Sequence, residues 1–373
     1  MYYKCWSPFF NTIAAMNKKR WDIFCKVVDN FGDIGVCWRL ARQLQAEHAI
    51  DMRLWVDDLQ VAQRLIPTLD ITAATQTIEG IHIVHWYVQA DFSDAADVVI
   101  EAFACGLPDA YQSAMQSRQT KWVNLEYLSA ESWVEGFHAQ TSPQASGLVR
   151  HFYFPGFMAA TGGLIREHYL PPPSLAQRSD STYQISLFCY PHAPINSLLN
   201  AMSVGTQKIH CYVPATSILP QVANFFGLEN LQMGQTVQQG ALTIEVLPFL
   251  SHTDYDHLLV RCDINFVRGE DSWVRAIWAG KPFIWQPYQQ EEDAHLPKLN
   301  AFLAQHYKDM PIGQREVVDA MHLAWLNASF QPAVWQRYIS SWPAIALSTH
   351  QASQALYQQP DLASKLVIFC NNL

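Results

Sequence analysis

Short apolar runs alternate with helical repeats along the first half of the chain. Residues 23–28 form a run typical of a β strand, a glycine-containing loop is predicted at 29–35, and apolar residues then recur at helical spacing over 36–48. The next strand is predicted at Met52–Val56, and the acidic pair 57–58 is predicted to cap the helix that follows. Further strands are predicted at Ile81–His85, Val98–Ile100 and Trp122–Leu125.

A proline-rich linker separates this half from a second series of the same kind. Residues 170–174 contain three consecutive prolines, which stiffen the chain and exclude a helix. Beyond them, helices are predicted around Asn196–Met202 and Asp254–Val260. The strands predicted between the helices are Tyr183–Tyr190, Lys208–Val213, Leu242–Leu247, Cys262–Val267 and Pro282–Gln286.

This order of elements predicts an α/β protein with two facing Rossmann-like domains and a cleft between them. Alternating strands and helices form mostly parallel sheets with helices on both faces. We predict an N-terminal domain over 21–175 and a second domain over 176–334. The amphipathic helices at about 335–373 are expected to pack back on the first domain, and residues 1–20 to be an extension.

Composition excludes several classes of protein. Acidic residues (33) outnumber basic ones (24), and the formal charge of −9 argues against a broad nucleic-acid-binding surface. Half of the residues are apolar and only 15% are charged, so disorder is not expected, and no run of 18 apolar residues predicts a membrane span. The eight scattered cysteines form no CxxC pair, which favours buried thiols in a reducing, cytoplasmic compartment.

The segment 29–35 follows the first strand, at the sheet edge where parallel α/β sheets bind ligands. It contains two carboxylates, Asp29 and Asp33, with Gly32 and Gly35, which let backbone approach a ligand closely. Aspartate is also common in turns, and Asp33 could simply cap the following helix. Two acids at this position favour a catalytic role for at least one of them, whereas the glycines alone are a weak phosphate-binding signal.

The corresponding place in the second half is the segment 268–272. A strand is predicted to end at Val267 and a helix to begin at Ser272, so backbone N–H groups and the helix dipole form an anion site to which Arg268 adds donors. Glu270 and Asp271 would repel a bare phosphate and are expected to bind hydroxyls or to orient the arginine. Alternatively, Ser272 caps the helix and the acids favour its dipole without any ligand; the motif leaves both interpretations open.

Aromatic residues follow other predicted strands of the second half. They are Phe188, Tyr190, Phe249, Tyr255 and Tyr288. Each alone is more typical of a core, but their recurrence beside the Arg268 segment favours a slot for a planar base. The dispersed histidines and the lack of a Cys/His/carboxylate cluster at ligand spacing predict no metal site.

Six segments are specific in combination: Val28–Leu40, Asn124–Glu131, Phe154–Phe157, Thr161–Leu164, Arg268–Ser272 and Asp293–Lys298. Together they resemble bacterial protein-arginine rhamnosyltransferases that act on elongation factor P, and the resemblance runs from about Trp21 to the C-terminus. It implies the GT-B arrangement of two Rossmann-like domains. It also implies an inverting transfer of L-rhamnose from dTDP-β-L-rhamnose to an arginine of elongation factor P, with no metal or other cofactor.

The same resemblance implies roles for individual residues. Asp33 is expected to be the general base, Asp29 to support the acceptor and Glu270 to be a second essential carboxylate. Phe249 and Tyr255 are expected to sandwich the thymine. The remaining expected contacts of the nucleotide sugar are Asn30, Phe31, Gly32, Phe188, Tyr190, Leu250, Ser251, His252, Arg268, Gly269, Asp271, Ser272 and Tyr288.

Two other functions stay open at this point. One is a glycosyltransferase of the same architecture with a small-molecule or lipid acceptor, and the other is a non-catalytic module that binds a nucleotide sugar. The charge of −9 and the lack of a basic amphipathic patch disfavour a lipid acceptor, and the presence of both Asp29 and Asp33 disfavours a silent module. Neither a nucleic acid nor a membrane is an expected partner.

Overall fold

The computed structural model describes residues 19–29, 31–175, 181–289, 295–327 and 330–373. Asn30, residues 1–18 of the expected extension, and positions 293 and 294 of one resemblance segment lie outside the described residues. Within the described ranges, no helix is both long enough and apolar enough to cross a membrane.

The first sheet carries the N-terminal half of the chain. Its strands are β1 (Arg20–Cys25), β2 (Asp51–Val56), β3 (Thr75–Ile78), β4 (Ile81–His85), β5 (Val98–Ala102), β6 (Lys121–Leu125), β7 (Thr141–Pro143) and β8 (Val149–Tyr153). Its helices are α1 (Phe31–His48), α2 (Leu59–Leu65), α3 (Asp109–Arg118) and α4 (Val134–Phe137). The strand order is β3-β4-β2-β1-β5-β6-β8-β7, with only β3 and β7 antiparallel to their neighbours. From β4 to β8 this is the order of a Rossmann sheet.

The second sheet repeats the plan. Its strands are β9 (Tyr183–Leu187), β10 (Ile209–Pro214), β11 (Thr236–Gln239), β12 (Leu242–Leu247), β13 (Ile264–Arg268) and β14 (Phe283–Gln286). Its helices are α5 (Ile195–Ser203), α6 (Leu219–Phe225), α7 (His252–Arg261), α8 (Asp271–Ala279), α9 (His295–His306) and α10 (Ile312–Leu326). The order β11-β12-β10-β9-β13-β14 is parallel except for β11. The predicted class, α/β with two Rossmann-like sheets, is confirmed.

The predicted strands are also confirmed, with ends shifted by a few residues. Four strands went unpredicted: β3, β7, β8 and β11. These strands lie at or next to sheet edges, and most of their side chains are partly or fully exposed. A strand that buries little needs no apolar run, so the pattern that revealed the central strands is weak here.

The predicted loop at 29–35 is wrong in its second part, because α1 already begins at Phe31. The two glycines are in the helix for reasons of packing. A β-carbon on Gly32 would come within 2.7 Å of an Asp29 carboxylate oxygen, and one on Gly35 would contact Asp271 of α8 at 3.4 Å. Glycine here allows α1 to approach its neighbours closely, at the expense of helix propensity.

The last three helices are divided between the two domains. They are α11 (Pro332–Ser340), α12 (Trp342–Tyr357) and α13 (Leu362–Asn372). The prediction placed all of 335–373 on the first domain. Instead, Trp335 of α11 and Ile345 of α12 belong to the hydrophobic core around the second sheet, and only α13 joins the first, through Leu362 and Leu366. Large apolar side chains on α11 and α12 find their partners in the second core, which an amphipathic pattern alone cannot specify.

Candidate active site

Two neighbouring cavities open at the carboxyl ends of the parallel strands, where the strand order reverses in each sheet. In such sheets ligands bind in the crevice at this reversal. The larger, of about 750 Å³, is lined equally by the two domains, and the other, of about 600 Å³, is lined mainly by residues of the second domain. They share Asp29, Gly32 and Gly269, so we call them the acidic cavity and the aromatic cavity and treat them as one bipartite site.

The structure brings most of the predicted site residues to these cavities. The aromatic cavity is lined by Asp29, Phe31, Gly32, Phe188, Tyr190, Phe249, Leu250, His252, Tyr255, Arg268, Gly269, Asp271 and Ser272, and also by Leu65 and Pro214, which were not predicted. The acidic cavity is lined by Asp29, Gly32, Asp33, Gly269, Glu270 and Tyr288, and also by the unpredicted Val28, Phe103, Tyr127, Trp285, Pro287 and Lys298. Ser251 lines neither cavity; its hydroxyl caps α7 by accepting from the N–H of Asp254.

Asp33 lies in the first turn of α1 and is held by two backbone N–H groups. One carboxylate oxygen accepts the backbone N–H groups of Val28 and Asp29, each at 2.8 Å. Tyr127 lines the same cavity as this carboxylate. Burial raises the pKa of Asp33, while the two backbone N–H groups and the nearby Tyr127 hydroxyl oppose the shift. The alternative of a helix cap is thus partly met: Asp33 is the third residue of α1 and reaches back to N–H groups before the helix, as in a capping box.

Asp29 connects the two domains. Its carboxylate accepts the Tyr190 hydroxyl of the second domain at 2.7 Å. Burial raises the pKa of Asp29 to about 6, although the Tyr190 hydrogen bond and the charge of Arg268 both lower it. Gly269, at φ 61°, leaves room for this contact, since a β-carbon there would be 3.0 Å from the Asp29 oxygen. At neutral pH the Asp29 carboxylate is therefore mostly ionised.

Glu270 adds a third carboxylate to the acidic cavity. Its oxygen lies 3.2 Å from the ammonium of Lys298. Burial raises the pKa of Glu270 and the lysine opposes this, while the charge of Asp33 raises it further. Three acids that are kept partly dehydrated form a site with a strong preference for a cation.

The segment 268–272 places a cation and a helix N-terminus at the aromatic cavity. The Arg268 guanidinium lies 4.6 Å from the ring centre of Phe188 and 4.5 Å from that of Tyr190. Ser272 is not the predicted helix cap; α8 begins one residue earlier, and the Ser272 hydroxyl accepts the N–H of Arg268 at 2.9 Å and donates to its carbonyl. Since the first N–H groups of a helix have no partner within it, this end of α8 can bind an anion.

Aromatic rings give the second cavity flat apolar faces. Phe249 packs at 4.9 Å between ring centres against Phe31 of the first domain, and Tyr255 packs edge-on against Phe188 at 5.6 Å. Tyr288, half exposed, lies edge-on to Tyr190. These rings suit a planar ligand of the size of a nucleobase.

His252 is a buried polar group that lines the aromatic cavity. Among the described residues neither of its ring nitrogens has a hydrogen-bond partner, and its Nε2 lies 4.0 Å from an Asp271 oxygen. Burial lowers its pKa well below the ordinary range, so the imidazole is neutral. A buried polar group without a partner is costly unless a ligand completes it.

A buried network of ion pairs anchors α8 from the first domain. Arg39 of α1 contacts Asp271 at 2.6 Å and Asp256 of α7 at 3.1 Å. Arg275 of α8 contacts Asp256 and Glu167, each at 2.6 Å. Burial alone would raise the pKa of Glu167, but the two arginines hold it at about 2. The network gives the anion-binding end of α8 a fixed position relative to α1.

The network and the aromatic pair Phe103–Tyr127 were missed at the sequence level. Arg39 lies in the segment Val28–Leu40 and Tyr127 in the segment Asn124–Glu131, both of which resemble the family, but the sequence alone gave neither residue a role. Phe103 comes one residue after β5 and Tyr127 two residues after β6, so the rule that singled out Asp29 applied equally to them.

No group of three His, Cys, Asp or Glu side chains is placed to hold a metal ion in the part of the chain that the structure describes. The expected independence of metal thus stays a prediction. The site instead consists of the acidic cavity and, next to it, the aromatic cavity, which has aromatic faces, an arginine and a helix N-terminus.

Comparison with known sequences places this site in context. A family model described as elongation factor P (EF-P) rhamnosyltransferase EarP matches residues 21–371. A protein-arginine rhamnosyltransferase of Pseudomonas putida is 44% identical, over 95% of this chain and 99% of that protein. Another, from Pseudomonas aeruginosa, is 41% identical, over 94% of this chain and 98% of that protein.

Solved structures agree with the sequence comparison. A structure that describes EarP-mediated arginine glycosylation of translation elongation factor EF-P matches with a TM-score of 0.66 and 30% identity, over 95% of this chain and 99% of that one. The spinosyn rhamnosyltransferase SpnG, in complex with thymidine diphosphate, matches with a TM-score of 0.52 over 94% of this chain and 99% of that one. At 11% identity, the second likeness concerns the fold alone.

Proposed function

The chain belongs to the EarP family of elongation factor P rhamnosyltransferases, and from that premise we propose that it transfers L-rhamnose from dTDP-β-L-rhamnose to an arginine side chain of elongation factor P. It is a protein-arginine rhamnosyltransferase with the GT-B fold; the donor, the acceptor protein and the catalytic base are the proposal. The observation that carries it is the 2.7 Å hydrogen bond from Tyr190 to Asp29, because it joins a carboxylate pair to a cavity suited to a nucleotide.

An arginine acceptor explains why three acids surround one cavity. A guanidinium is protonated at any ordinary pH, and its nitrogen lone pairs are delocalised, so it is a poor nucleophile. Asp29, Asp33 and Glu270 can neutralise its charge and fix its plane. Its arrival also stabilises the ionised form of each carboxylate, which burial alone disfavours.

Asp33 is the general base of the proposed reaction. A guanidinium nitrogen attacks the anomeric carbon from the face opposite the phosphate, the bond from that carbon to the phosphate oxygen breaks, and the configuration inverts. The nitrogen's proton passes to the Asp33 carboxylate, and thymidine diphosphate leaves with the bonding electrons. A carboxylate is too weak a base to deprotonate a free guanidinium, so the proton moves late, as the new bond forms.

The leaving diphosphate faces positive charge, whereas the acceptor faces carboxylates. Arg268 and the N-terminus of α8 are placed to stabilise the negative charge that develops on it. Phe249 and Tyr255 supply flat faces for the thymine, and His252 supplies a polar group that needs a partner. With this arrangement the proposed reaction needs no metal, and we expect an unchanged rate in excess chelator.

The proposal is tested by incubating the full chain with dTDP-β-L-rhamnose and purified elongation factor P and measuring the intact mass of the acceptor. We expect a gain of one deoxyhexosyl group, located on an arginine by fragmentation. A matched acceptor with that arginine replaced by lysine should gain nothing. An acceptor of unchanged mass, with the donor intact, would contradict the proposal.

Removing the Phe249 ring should weaken donor binding without affecting the fold. Phe249 is only half-buried, and stacking on a base is worth roughly 1–3 kcal/mol, so we expect Phe249→Ala to weaken the affinity for dTDP by about 5- to 150-fold. Calorimetric titration with dTDP measures this. Removing Tyr255 as well should add to the loss. The control is Tyr169→Ala, which removes an exposed ring outside both cavities; equal dTDP affinity in Phe249→Ala and wild type would rule out the thymine assignment.

A further inference from the structure

Lys298 brings a positive charge into the acidic cavity, and the proposed reaction gives it no role. It is the fourth residue of α9, and it lines the cavity together with the three acids. Its ammonium donates to a Glu270 carboxylate oxygen at 3.2 Å, and the side chains of the lysine and the glutamate are only 17% and 13% exposed. A cation near the N-terminus of a helix is opposed by the helix dipole, so the stability of α9 does not explain a lysine at this position.

The same ammonium also contacts the first domain. It lies over the face of the Tyr127 ring, 5.6 Å from the ring centre, within the range of a cation–π interaction. That ring in turn stacks on Phe103, with ring centres 4.4 Å apart and an angle of 13° between the planes. The Lys298 ammonium is therefore held between a carboxylate of the second domain and a supported aromatic ring of the first.

The pair of Lys298 and Glu270 makes the three acids of the cavity unequal. Glu270 already has a cation as its partner. Asp33 is held by two neutral N–H groups and Asp29 by the neutral hydroxyl of Tyr190, and in the described part of the chain neither aspartate forms an ion pair. A guanidinium that enters the cavity is attracted most strongly by the carboxylates that no cation has yet neutralised. These are the two aspartates, which include the proposed base.

We propose that Lys298 is a positioning residue: it holds Glu270 in place through one carboxylate oxygen and so directs the acceptor guanidinium to Asp29 and Asp33. This inference rests on the proposed function, in which the guanidinium is the nucleophile and Asp33 its base. The second oxygen of Glu270 remains free to accept from the guanidinium once it is bound there. Without the ammonium, Glu270 is a mobile anion that can bind the guanidinium away from the base.

The test is Lys298→Met, which keeps much of the volume of the side chain and removes its charge. We expect kcat for arginine rhamnosylation to fall by about 10- to 100-fold, the cost of a reactant that is held out of position. The KM for elongation factor P should stay the same or fall, because the cavity becomes more negative and still attracts a cation. The affinity for dTDP, measured by calorimetric titration, should not change, since Lys298 does not line the aromatic cavity.

A double-mutant cycle with Glu270→Gln shows whether the lysine acts through the glutamate. If it does, Lys298→Met should lower kcat by less than about twofold in the Glu270→Gln background, because the charge that the lysine positions is already gone. A lysine that only supports the fold would lower kcat by the same factor in both backgrounds, and that result would overturn the inference.

Lys308→Met is the matched control, since Lys308 is exposed, lies two residues after α9 and lines neither cavity of the site. It should keep the kcat of the wild type. An unchanged kcat in Lys298→Met, with or without a higher KM for elongation factor P, would also overturn the inference. These results differ from failure of the proposed function, in which the unmodified enzyme itself transfers no sugar to elongation factor P.

Discussion

Asp33→Asn should lower kcat for arginine rhamnosylation by at least about 10²–10⁴-fold, the range that a general base contributes. The amide oxygen can still accept the N–H groups of Val28 and Asp29, so the start of α1 should keep its structure. What the variant loses is the capacity to take a proton and the negative charge that faces the guanidinium. Because the proposed donor site is the aromatic cavity, which Asp33 does not line, the affinity for dTDP-β-L-rhamnose should be nearly unchanged.

Steady-state rates with elongation factor P, together with calorimetric titration of the donor, separate these two effects. Asp57→Asn is the matched control, since Asp57 lies after β2 at the same sheet edge but accepts the N–H of Val27 at 2.9 Å and lines neither cavity. It should keep most of the activity. Normal turnover in Asp33→Asn would remove this residue from the role of base.

Arg39→Met should lower the free energy of unfolding by about 3–5 kcal/mol, the range for breaking a buried ion pair by removal of one partner. Arg39 is almost fully buried and contacts Asp271 and Asp256 directly. Without it, Asp271 loses its contact of 2.6 Å, and among the described residues Asp256 keeps only Arg275 as an ion-pair partner. A methionine fills much of the same volume, so the lost stability comes mainly from the missing charge and not from a cavity.

Urea denaturation of the two single variants Arg39→Met and Arg42→Met measures how much each substitution lowers the free energy of unfolding. Arg42 lies on the same helix and pairs with the exposed Glu79 at 2.7 Å, and a surface pair of this kind is worth at most about 1 kcal/mol. Equal destabilisation of the two variants would show that the buried network stabilises the protein no more than a surface ion pair does. At a temperature where Arg39→Met remains folded, weaker dTDP binding should also appear, because the network positions the N-terminus of α8.

The central strands and the paired sheets were predictable because their evidence is local. Buried parallel strands must be apolar along most of their length, and the runs around Ile23, Ile83 and Phe266 show this directly. The start of α1 was not predictable in the same way. Gly32 and Gly35 read as loop residues by propensity, and the reason for their place in a helix is the distance to Asp29 and to Asp271 in the folded protein.

The positions of the site residues Asp29 and Arg268 were predictable from the topology, whereas the ion pairs of Arg39 that hold α8 in place were not. Asp29 follows β1 and Arg268 is the last residue of β13. The strand order reverses at these strands in each sheet, so the meeting of the two residues follows from the fold class. The partners of Arg39 come from residues more than 120 positions away, and no spacing along the chain specifies such contacts. An arginine inside the apolar stripe of a helix does signal a buried ion pair, but it leaves the acids unnamed.

The most direct test of the division between the domains is a crystal structure of the Asp33→Asn variant with dTDP-β-L-rhamnose and elongation factor P both bound. We expect the acceptor guanidinium in the acidic cavity, within hydrogen-bond reach of Asp29 and the side chain at position 33, and the thymine between Phe249 and Tyr255. A guanidinium bound elsewhere, or a thymine outside the aromatic cavity, would contradict this division.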